Sequence, residues 1–435
     1  MESIKVGLLG LGVVGGGTWK VLARNAGEIS RRAGRNIEVT RVAVRDIAKA
    51  RALLGDAVDL GTEPFAVVRD PSIDIVVELI GGDTLARELV LEAIDQGKHV
   101  VTANKALLAK HGTEIFAAAS AKGVMVAFEA AVAGGIPIIK AIREGLTANR
   151  IEWVAGIING TTNFILSEMR SRGLPFATVL AEAQKLGYAE ADPTFDIEGV
   201  DAAHKLTLLA SLAFGIPVQF DKAHIEGISS LASEDIKLAE RLGYRIKLLG
   251  ITKRCANGIE LRVHPALVPS ASLLANVEGA MNAVLVRGDA VGQTLYYGKG
   301  AGEEPTASAV VADLVDVTRL HTADPEHRVP HLAFQPDAMA DTPILSIEEV
   351  VTSYYMRMTV ADQPGVLADI AKVLAEADIS IGSMIQQPSD ADGSADLIFL
   401  THHALEKNIN AAIARIESLE FVRSSVTRLR VESLS

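Results

Sequence analysis

The sequence predicts an α/β chain in three parts: a doubly wound, mainly parallel sheet domain, an α+β domain, and a ferredoxin-like βαββαβ module at the C-terminus. Three observations predict it. Gly10, Gly12 and Gly15 form G-x-G-x-x-G directly behind the first aliphatic run and ahead of a helical stretch. Short aliphatic runs then alternate with helix-length amphipathic stretches, which is the pattern of βαβ units. Beyond a proline- and histidine-rich stretch, the strand and helix patterns come in the order βαββαβ.

Aliphatic runs at 6–9, 37–44, 73–80, 99–102 and 124–128 read as strands of one sheet, with a helix over 18–23 behind the glycines. Residues 1–130 thus form the nucleotide-binding domain. From 131 to 305 the pattern is mixed, with helices over 176–186 and 202–214 and strand-like runs at 259–265 and 283–286. An Ala/Val-rich helix over 306–317 has the spacing to pack back on the first domain, so residues 306–320 complete that domain. The stretch 321–343 carries His321, Pro325, His327, Pro330, His331, Pro336 and Pro343 among charges, which is linker composition, and 321–349 is read as a linker. In the module at 350–435, strands are expected at 354–360, 380–387, 396–402 and 422–431, with helices over 367–377 and 409–416.

A chain of 435 residues can build two or three domains with ordinary hydrophobic cores. With 49% hydrophobic but only 4% aromatic residues, those cores are aliphatic, and disorder is excluded over most of the length. The formal charge of -12, from 42 basic and 54 acidic side chains, disfavours nucleic acid and anionic membrane surfaces and leaves a small molecule as the expected partner. One cysteine, Cys255, excludes an intrachain disulfide and a multi-cysteine metal site, and fits a reducing compartment. No run approaches the roughly 18 apolar residues of a membrane span. The apolar start at 4–9 leads into glycines without a basic segment or cleavage site, so a cytoplasmic location is expected.

The loop Gly10-Leu11-Gly12-Val13-Val14-Gly15 sits where a Rossmann-type dinucleotide site requires it. Gly10 makes the tight turn, Gly12 lets the backbone approach a pyrophosphate, Gly15 lets helix and strand pack, and the helix N–H groups bind the anion. At the end of the second strand stand Val44-Arg45-Asp46: Arg45 can meet a 2′-phosphate, which favours NADP, while Asp46 leaves room for NAD, and a solvated arginine is the plain alternative. Gly81-Gly82 and Asn104-Lys105 follow later strands, whose carboxyl ends line the ligand crevice of such sheets. Lys105 is either a site cation or an ordinary helix-start lysine.

Glu190, Asp192, Asp196, Asp201 and Lys205 crowd together between two helices. Asp201 and Lys205 are four apart and share a helix face. The plain reading is an exposed acidic loop with a surface ion pair. The chemical reading is that hydride reduction of an aldehyde needs a proton donor, which a lysine supplies if burial or a neighbour such as Lys105 lowers its pKa, while carboxylates hold a substrate ammonium. His204 points to another helix face and reads as structural. Asn159-Gly160-Thr161-Thr162-Asn163 opens a helix, capping it or binding a substrate carboxylate. The glycine-containing bend from Glu129 to Pro137 reads as a hinge whose carbonyls could surround a hard cation.

Together these segments resemble homoserine dehydrogenase. Further matching segments are Ile225-Glu226-Gly227-Ile228, Val263-His264-Pro265, Met281-Asn282-Ala283, Tyr297-Gly298-Lys299-Gly300-Ala301-Gly302 and Pro305-Thr306-Ala307-Ser308-Ala309-Val310, so the resemblance spans essentially the whole chain. It implies reversible reduction of L-aspartate 4-semialdehyde to L-homoserine with NADP or NAD, on the route to threonine, methionine and isoleucine. It makes Lys205 the proton donor and Lys105 a second site lysine that also contacts the cofactor. Glu190 becomes a homoserine ligand, Asp196 and Asp201 support the substrate's amino end, and Gly302 returns to the cofactor. It turns the bend into a sodium site built from the carbonyls of Glu129, Val132, Gly134 and Ile136. Lys299 departs from the family's usual proline between the two glycines, which touches the local turn and the cofactor preference.

The tail resembles an ACT domain, with Asp362-Gln363-Pro364-Gly365-Val366-Leu367 joining its first strand to its first helix. This implies a threonine effector at an edge-to-edge interface, in a homodimer or homotetramer, with a module for dimerisation alone as the plain alternative. Two rival functions follow from the same residues. A non-catalytic regulator sensing amino acid and dinucleotide has no need of the carboxylate and lysine segment. An acylating semialdehyde dehydrogenase demands an activated cysteine, and Cys255 sits in a turn far from the other motifs. Truncation after about Thr342 is expected to leave a working enzyme without amino-acid inhibition.

Overall fold

A computed structural model of the chain describes residues 3–388 and 393–434. Strands β1 (Ile4–Leu9), β2 (Ile37–Ala43), β3 (Asp59–Gly61), β4 (Ile75–Glu78), β5 (His99–Thr102) and β6 (Val126–Ala127) form one parallel sheet in the order β3-β2-β1-β4-β5-β6. This is the doubly wound order, in which the chain reverses direction across the sheet beside β1. Every residue of β4 and β5 is buried because helices cover both faces of a parallel sheet, so their centres, Ile75-Val76-Val77 and Val100-Val101, are aliphatic without alternation. The short β3 escaped the sequence reading because Asp59-Leu60-Gly61 offers no alternation to detect.

The helix Glu303–Leu320 crosses the fingerprint helix Val13–Arg24, and its Ala307, Val310 and Leu314 join the core formed by β1 and β4. Gly17 permits the crossing, since a Cβ there would stand 2.7 Å from the Glu303 carbonyl oxygen. Lys20–Glu303 and Arg24–Glu304 ion pairs edge the contact. Being exposed, they add little to what packing supplies.

The second sheet comprises β7 (Ile151–Ile157), β8 (His224–Ile225), β9 (Tyr244–Arg254), β10 (Ile259–Pro269), β11 (Met281–Gly288), β12 (Gly292–Lys299) and strands of the C-terminal module. The latter are β13 (Val351–Ala361), β14 (Ile381–Pro388), β15 (Ser394–Thr401), β16 (Ala404–Leu405) and β17 (Thr427–Val431). The order β12-β11-β7-β9-β10-β17-β13-β15-β14 makes one continuous sheet of both parts. The join is the parallel pairing of β17 with β10, Ala266 opposite Arg430. Under the sheet lies the helix Val200–Phe214, buried at every residue from Asp201 on, as a helix apolar on most sides must be.

The stretch read as a linker is a strap packed onto the molecule. It forms short 3-10 turns at Pro325–His327 and Pro336–Ala338, buries Leu332, and lays Phe334 over Gly215. Arg328 donates to the Gly123 carbonyl at 2.7 Å, and the Ala340 amide donates to the Gly215 carbonyl at 2.7 Å. Its prolines fix φ and forbid helix or strand ladders, which removes periodicity without preventing burial.

Candidate active site

Between the two sheets, the chain brings together the lysine and carboxylate residues singled out above. Asp201 lies in the first turn of the helix Val200–Phe214 and Lys205 one turn on, so they face the same way. Lys205 Nζ donates to Asp201 Oδ2 at 2.6 Å and to the Ile158 carbonyl at 2.7 Å. Lys105 Nζ approaches Asp201 Oδ1 at 3.2 Å from the opposite side. The pair is no surface ion pair, because Lys205 is 9% exposed and Asp201 4%.

The loops that deliver Lys105 are tied to each other. Glu78 at the end of β4 accepts the Ile80 and Gly81 amides and the Thr102 hydroxyl, while Asn104 caps the helix Lys105–Lys122 and donates to the Gly82 carbonyl at 2.6 Å. Gly81 and Gly82 both have positive φ, at 72° and 74°, which lets that loop turn back over the strand ends.

Electrostatics follows from this packing. Burial opposes charge on Asp201, but Lys205, Lys105 and a hydrogen bond from Asn159 outweigh it and hold the carboxyl well below the usual carboxylate range. Burial lowers the Lys205 pKa, and the Lys105 charge adds to that lowering against the pull of Asp201. Asp196 moves up through burial and the charge of Asp201. His204, between Phe195 and Phe220, has no hydrogen-bond partner on either ring nitrogen among the described residues. Burial brings its pKa down to about 4, so at pH 7 it is a neutral imidazole and supplies no imidazolium acid.

Asn159 N-caps the helix Gly160–Arg172: its Oδ1 accepts the Thr162 amide at 2.8 Å and the Thr162 hydroxyl at 2.9 Å. Its Nδ2 donates to Asp196 at 2.8 Å and Asp201 at 2.9 Å. The side chain is therefore fully engaged within the protein, which leaves the amide groups at Gly160 and Thr161 as the open donors of the helix start. Thr161 Oγ1 donates to the Tyr188 carbonyl at 2.7 Å and so anchors the loop that carries Glu190 and Asp192, both exposed.

The residues of the glycine fingerprint fit a dinucleotide. Gly10 has φ 92°, and a Cβ on Gly15 would lie 2.3 Å from the Gly10 carbonyl oxygen. Nothing stands within 4 Å of a Cβ on Gly12, and Val13 beside it is 68% exposed. Beyond β2, Arg45 is exposed, while Asp46 caps the next helix by accepting the Lys49 amide at 3.0 Å. At the bend, Ala133 and Gly134 take left-handed φ of 54° and 49° in succession. The Glu129 carboxylate is spent on the Ile139 and Lys140 amides, and burial together with Asp313 pushes it up to about 7. Cys255 sits in the β9–β10 turn, its amide donating to the Gly258 carbonyl, and burial raises its thiol to about 11, the reverse of an activated nucleophile.

Sequence reading placed Thr162 in the helix-opening turn, where the cap is found, and gave no part to Tyr188 or Ile158, whose contacts are made by backbone carbonyls and leave no mark in residue type. Asn282, taken up below, was named only within the matching segment Met281-Asn282-Ala283 and given no role.

Comparisons with known proteins agree along the whole chain. Residues 10–129 match the family model "Homoserine dehydrogenase, NAD binding domain", 137–315 match "Homoserine dehydrogenase", and 354–421 match "ACT domain". A homoserine dehydrogenase of Pseudomonas aeruginosa is 64% identical over 436 residues, covering 100% of both chains. The crystal structure of a homoserine dehydrogenase from Thiobacillus denitrificans is 69% identical, with TM-score 0.96 over 100% of this chain and 99% of the other. A hyperthermophilic archaeal homoserine dehydrogenase solved in complex with NADPH is 26% identical, with TM-score 0.63 over 73% of this chain and 98% of the other. A buried lysine between two carboxylate-bearing elements, a dinucleotide fingerprint and relatives matched from end to end lead to one conclusion: the chain belongs to the homoserine dehydrogenase family of NAD(P)-dependent oxidoreductases, with a C-terminal ACT domain.

Proposed function

We propose that the chain interconverts L-aspartate 4-semialdehyde and L-homoserine on the route to threonine, methionine and isoleucine, with Lys205 exchanging the proton at the carbonyl oxygen. The observation that carries this is the setting of the Lys205 ammonium. Two of its three hydrogens are taken by Asp201 and the Ile158 carbonyl, and the third is left for a substrate oxygen. Asp201, tied to both lysines and to Asn159, holds the ammonium in place and keeps it charged. Glu190 and Asp196 receive the substrate ammonium, and the Gly160 and Thr161 amides receive its carboxylate. Lys105 screens the developing charge and borders the cofactor.

Gly10, Leu11, Gly12, Val13, Val14 and Gly15 would hold the nicotinamide cofactor, which would supply or accept the hydride when bound. Gly82 and Gly302 close its walls. The exposed Arg45, with Asp46 occupied as a cap, supports NADP over NAD, as does the NADPH bound by the archaeal relative. A sodium ion fits the carbonyls of Glu129, Val132, Gly134 and Ile136. Those of Val132 and Gly134 accept no hydrogen bond among the described residues, while that of Glu129 accepts the Val132 amide at 3.4 Å and that of Ile136 the Ile138 amide at 2.8 Å. Residues 1–130 with 306–320 bind the cofactor, 131–305 carry chemistry and dimerisation, 321–349 connect, and 350–435 form the regulatory domain that senses threonine in a homodimer or homotetramer.

A spectrophotometric assay with homoserine and each dinucleotide, with and without threonine, tests the reading. Homoserine-dependent reduction of NADP, faster than of NAD and slowed by threonine, is the expected result. No turnover with either dinucleotide removes the proposal, and turnover untouched by threonine removes its regulatory part.

A further inference from the structure

Asn282 is the second residue of β11 and is 1% exposed, yet neither its amide nitrogen nor its amide oxygen has a hydrogen-bond partner among the described residues. A buried primary amide without partners costs stability, and an apolar side chain of the same size would avoid that cost. Such a residue calls for an explanation, and its surroundings supply one. Ala283 pairs with Ile157, so Asn282 lies beside Ile158, whose carbonyl holds the Lys205 ammonium. On its other side it pairs with Gly298, the start of the Gly298-Lys299-Gly300-Ala301-Gly302 loop.

That loop runs over the amide at close range. A Cβ on Gly300 would lie 2.0 Å from Asn282 Nδ2, 2.1 Å from Cγ and 2.4 Å from Oδ1, so the Gly300 backbone rests on the flat face of the amide. The Asn282 oxygen also lies 3.6 Å from where a Cβ on Gly160 would stand, at the turn that opens the helix Gly160–Arg172. The far end of the loop, Gly302 with φ 121°, begins the helix that crosses the fingerprint helix at Gly17. Its middle touches the bend: a Cβ on Gly134 would meet the Gly300 carbonyl oxygen at 2.5 Å, and the Gly135 amide donates to the Lys299 carbonyl at 3.0 Å. Asn282 is thus a joint between the substrate turn and a loop leading to the cofactor helix.

We propose that Asn282 is a positioning residue for hydride transfer: when dinucleotide binding shifts the Gly298–Gly302 loop, a peptide group of that loop takes up the Asn282 amide and locks the cofactor wall to the Gly160 turn. An amide side chain carries one donor edge and one acceptor edge, which matches the N–H and C=O of a peptide and matches neither a carboxylate nor an ammonium. Three glycines within five residues allow the peptide rotation that such a pairing needs. The proposal rests on the reading that this loop borders the cofactor, and the wild-type enzyme provides the control for it.

The test compares wild type, Asn282→Leu and Asn282→Ser in the full chain by thermal unfolding with and without NADPH, and by steady-state kinetics with homoserine. Asn282→Leu is expected to melt above wild type without dinucleotide, to lose most of the NADPH-induced rise, and to turn over roughly ten to a hundred times more slowly with KM for homoserine little changed. Asn282→Ser, which keeps one hydroxyl, should fall between the two. A lower melting temperature for folded Asn282→Leu, or a wild-type NADPH response and kcat, overturns the proposal. If Asn282→Leu does not fold, Asn282→Ser decides: a reduced NADPH response with reduced kcat supports the lock, and a wild-type response ends it. Absence of any NADPH response in the wild type would fail the cofactor reading of the loop and take this proposal with it.

Discussion

At the scale of single residues, a lysine is useful as a proton donor only when its pKa is brought towards working pH and its nitrogen is aimed. Burial and Lys105 do the first for Lys205, and Asp201 with the Ile158 carbonyl does the second. Replacing Lys205 by Ala should lower kcat by about 10²–10⁴. Dinucleotide affinity, followed by fluorescence titration, should stay near wild type, because Lys205 does not belong to the glycine loop. The sign of the pH dependence follows from the lowered pKa. Aldehyde reduction needs the protonated lysine, so its rate should fall as pH rises through a midpoint below 10.5, whereas homoserine oxidation needs the neutral amine and should rise through the same midpoint. A pH profile of both directions checks this, and parallel profiles would remove Lys205 from the proton path.

At the scale of elements, the dinucleotide loop and the joint between sheets each depend on one close contact. A side chain at Gly15 would collide with the Gly10 carbonyl, so Gly15→Val should abolish dinucleotide binding in a fluorescence titration while circular dichroism still shows a folded chain. In the joint, Arg430 and Glu406 are each 1% exposed and form a buried ion pair, and Arg430 also reaches Glu226 at 2.8 Å. The Glu226 segment leads on to Ile228, whose amide donates to the Ile197 carbonyl, so the ACT strand β17 is two contacts away from the loop carrying Asp196. Arg430→Ala would remove one of the two arginines paired with the buried Glu406 and leave it Arg428 and the Tyr354 hydroxyl. It should cost about 3–5 kcal/mol in thermal or denaturant unfolding.

At the scale of the whole molecule, the ACT domain is part of the sheet and not a tethered appendage. β17 completes the edge of β10, Glu432 pairs with the buried Arg262, and the Ile259 amide donates to the carbonyl of Pro343 in the strap. A chain truncated after Thr342 loses all three, exposing a strand edge and leaving Arg262 with Glu260 alone. To the expectation of a working truncated enzyme without amino-acid inhibition the structure adds a cost in stability. The shortened chain should lose any response to threonine, and it should also melt lower and associate more readily, as measured by thermal scanning and light scattering. A truncated chain as stable as the full one would show that the continuous sheet adds nothing to stability.

Much of this was legible in the residues themselves, and the limit has a physical cause. Local rules determine the glycine fingerprint, the alternation of aliphatic runs with amphipathic helices, and the placing of Asp201 and Lys205 on one helix face, because each depends on neighbours within a few positions. Short-range periodicity also placed the four longer strands of the ACT module, with β17 starting five residues later than expected, but it missed the two-residue β16. Tertiary structure alone decided that the Asp201–Lys205 pair is buried, that Asn159 spends its amide inside the protein, that the proline-rich stretch is a packed strap, and that β17 joins β10. Burial, hydrogen-bond partners and strand neighbours are set by residues far apart in the chain, and no window along the sequence holds both halves of such a contact.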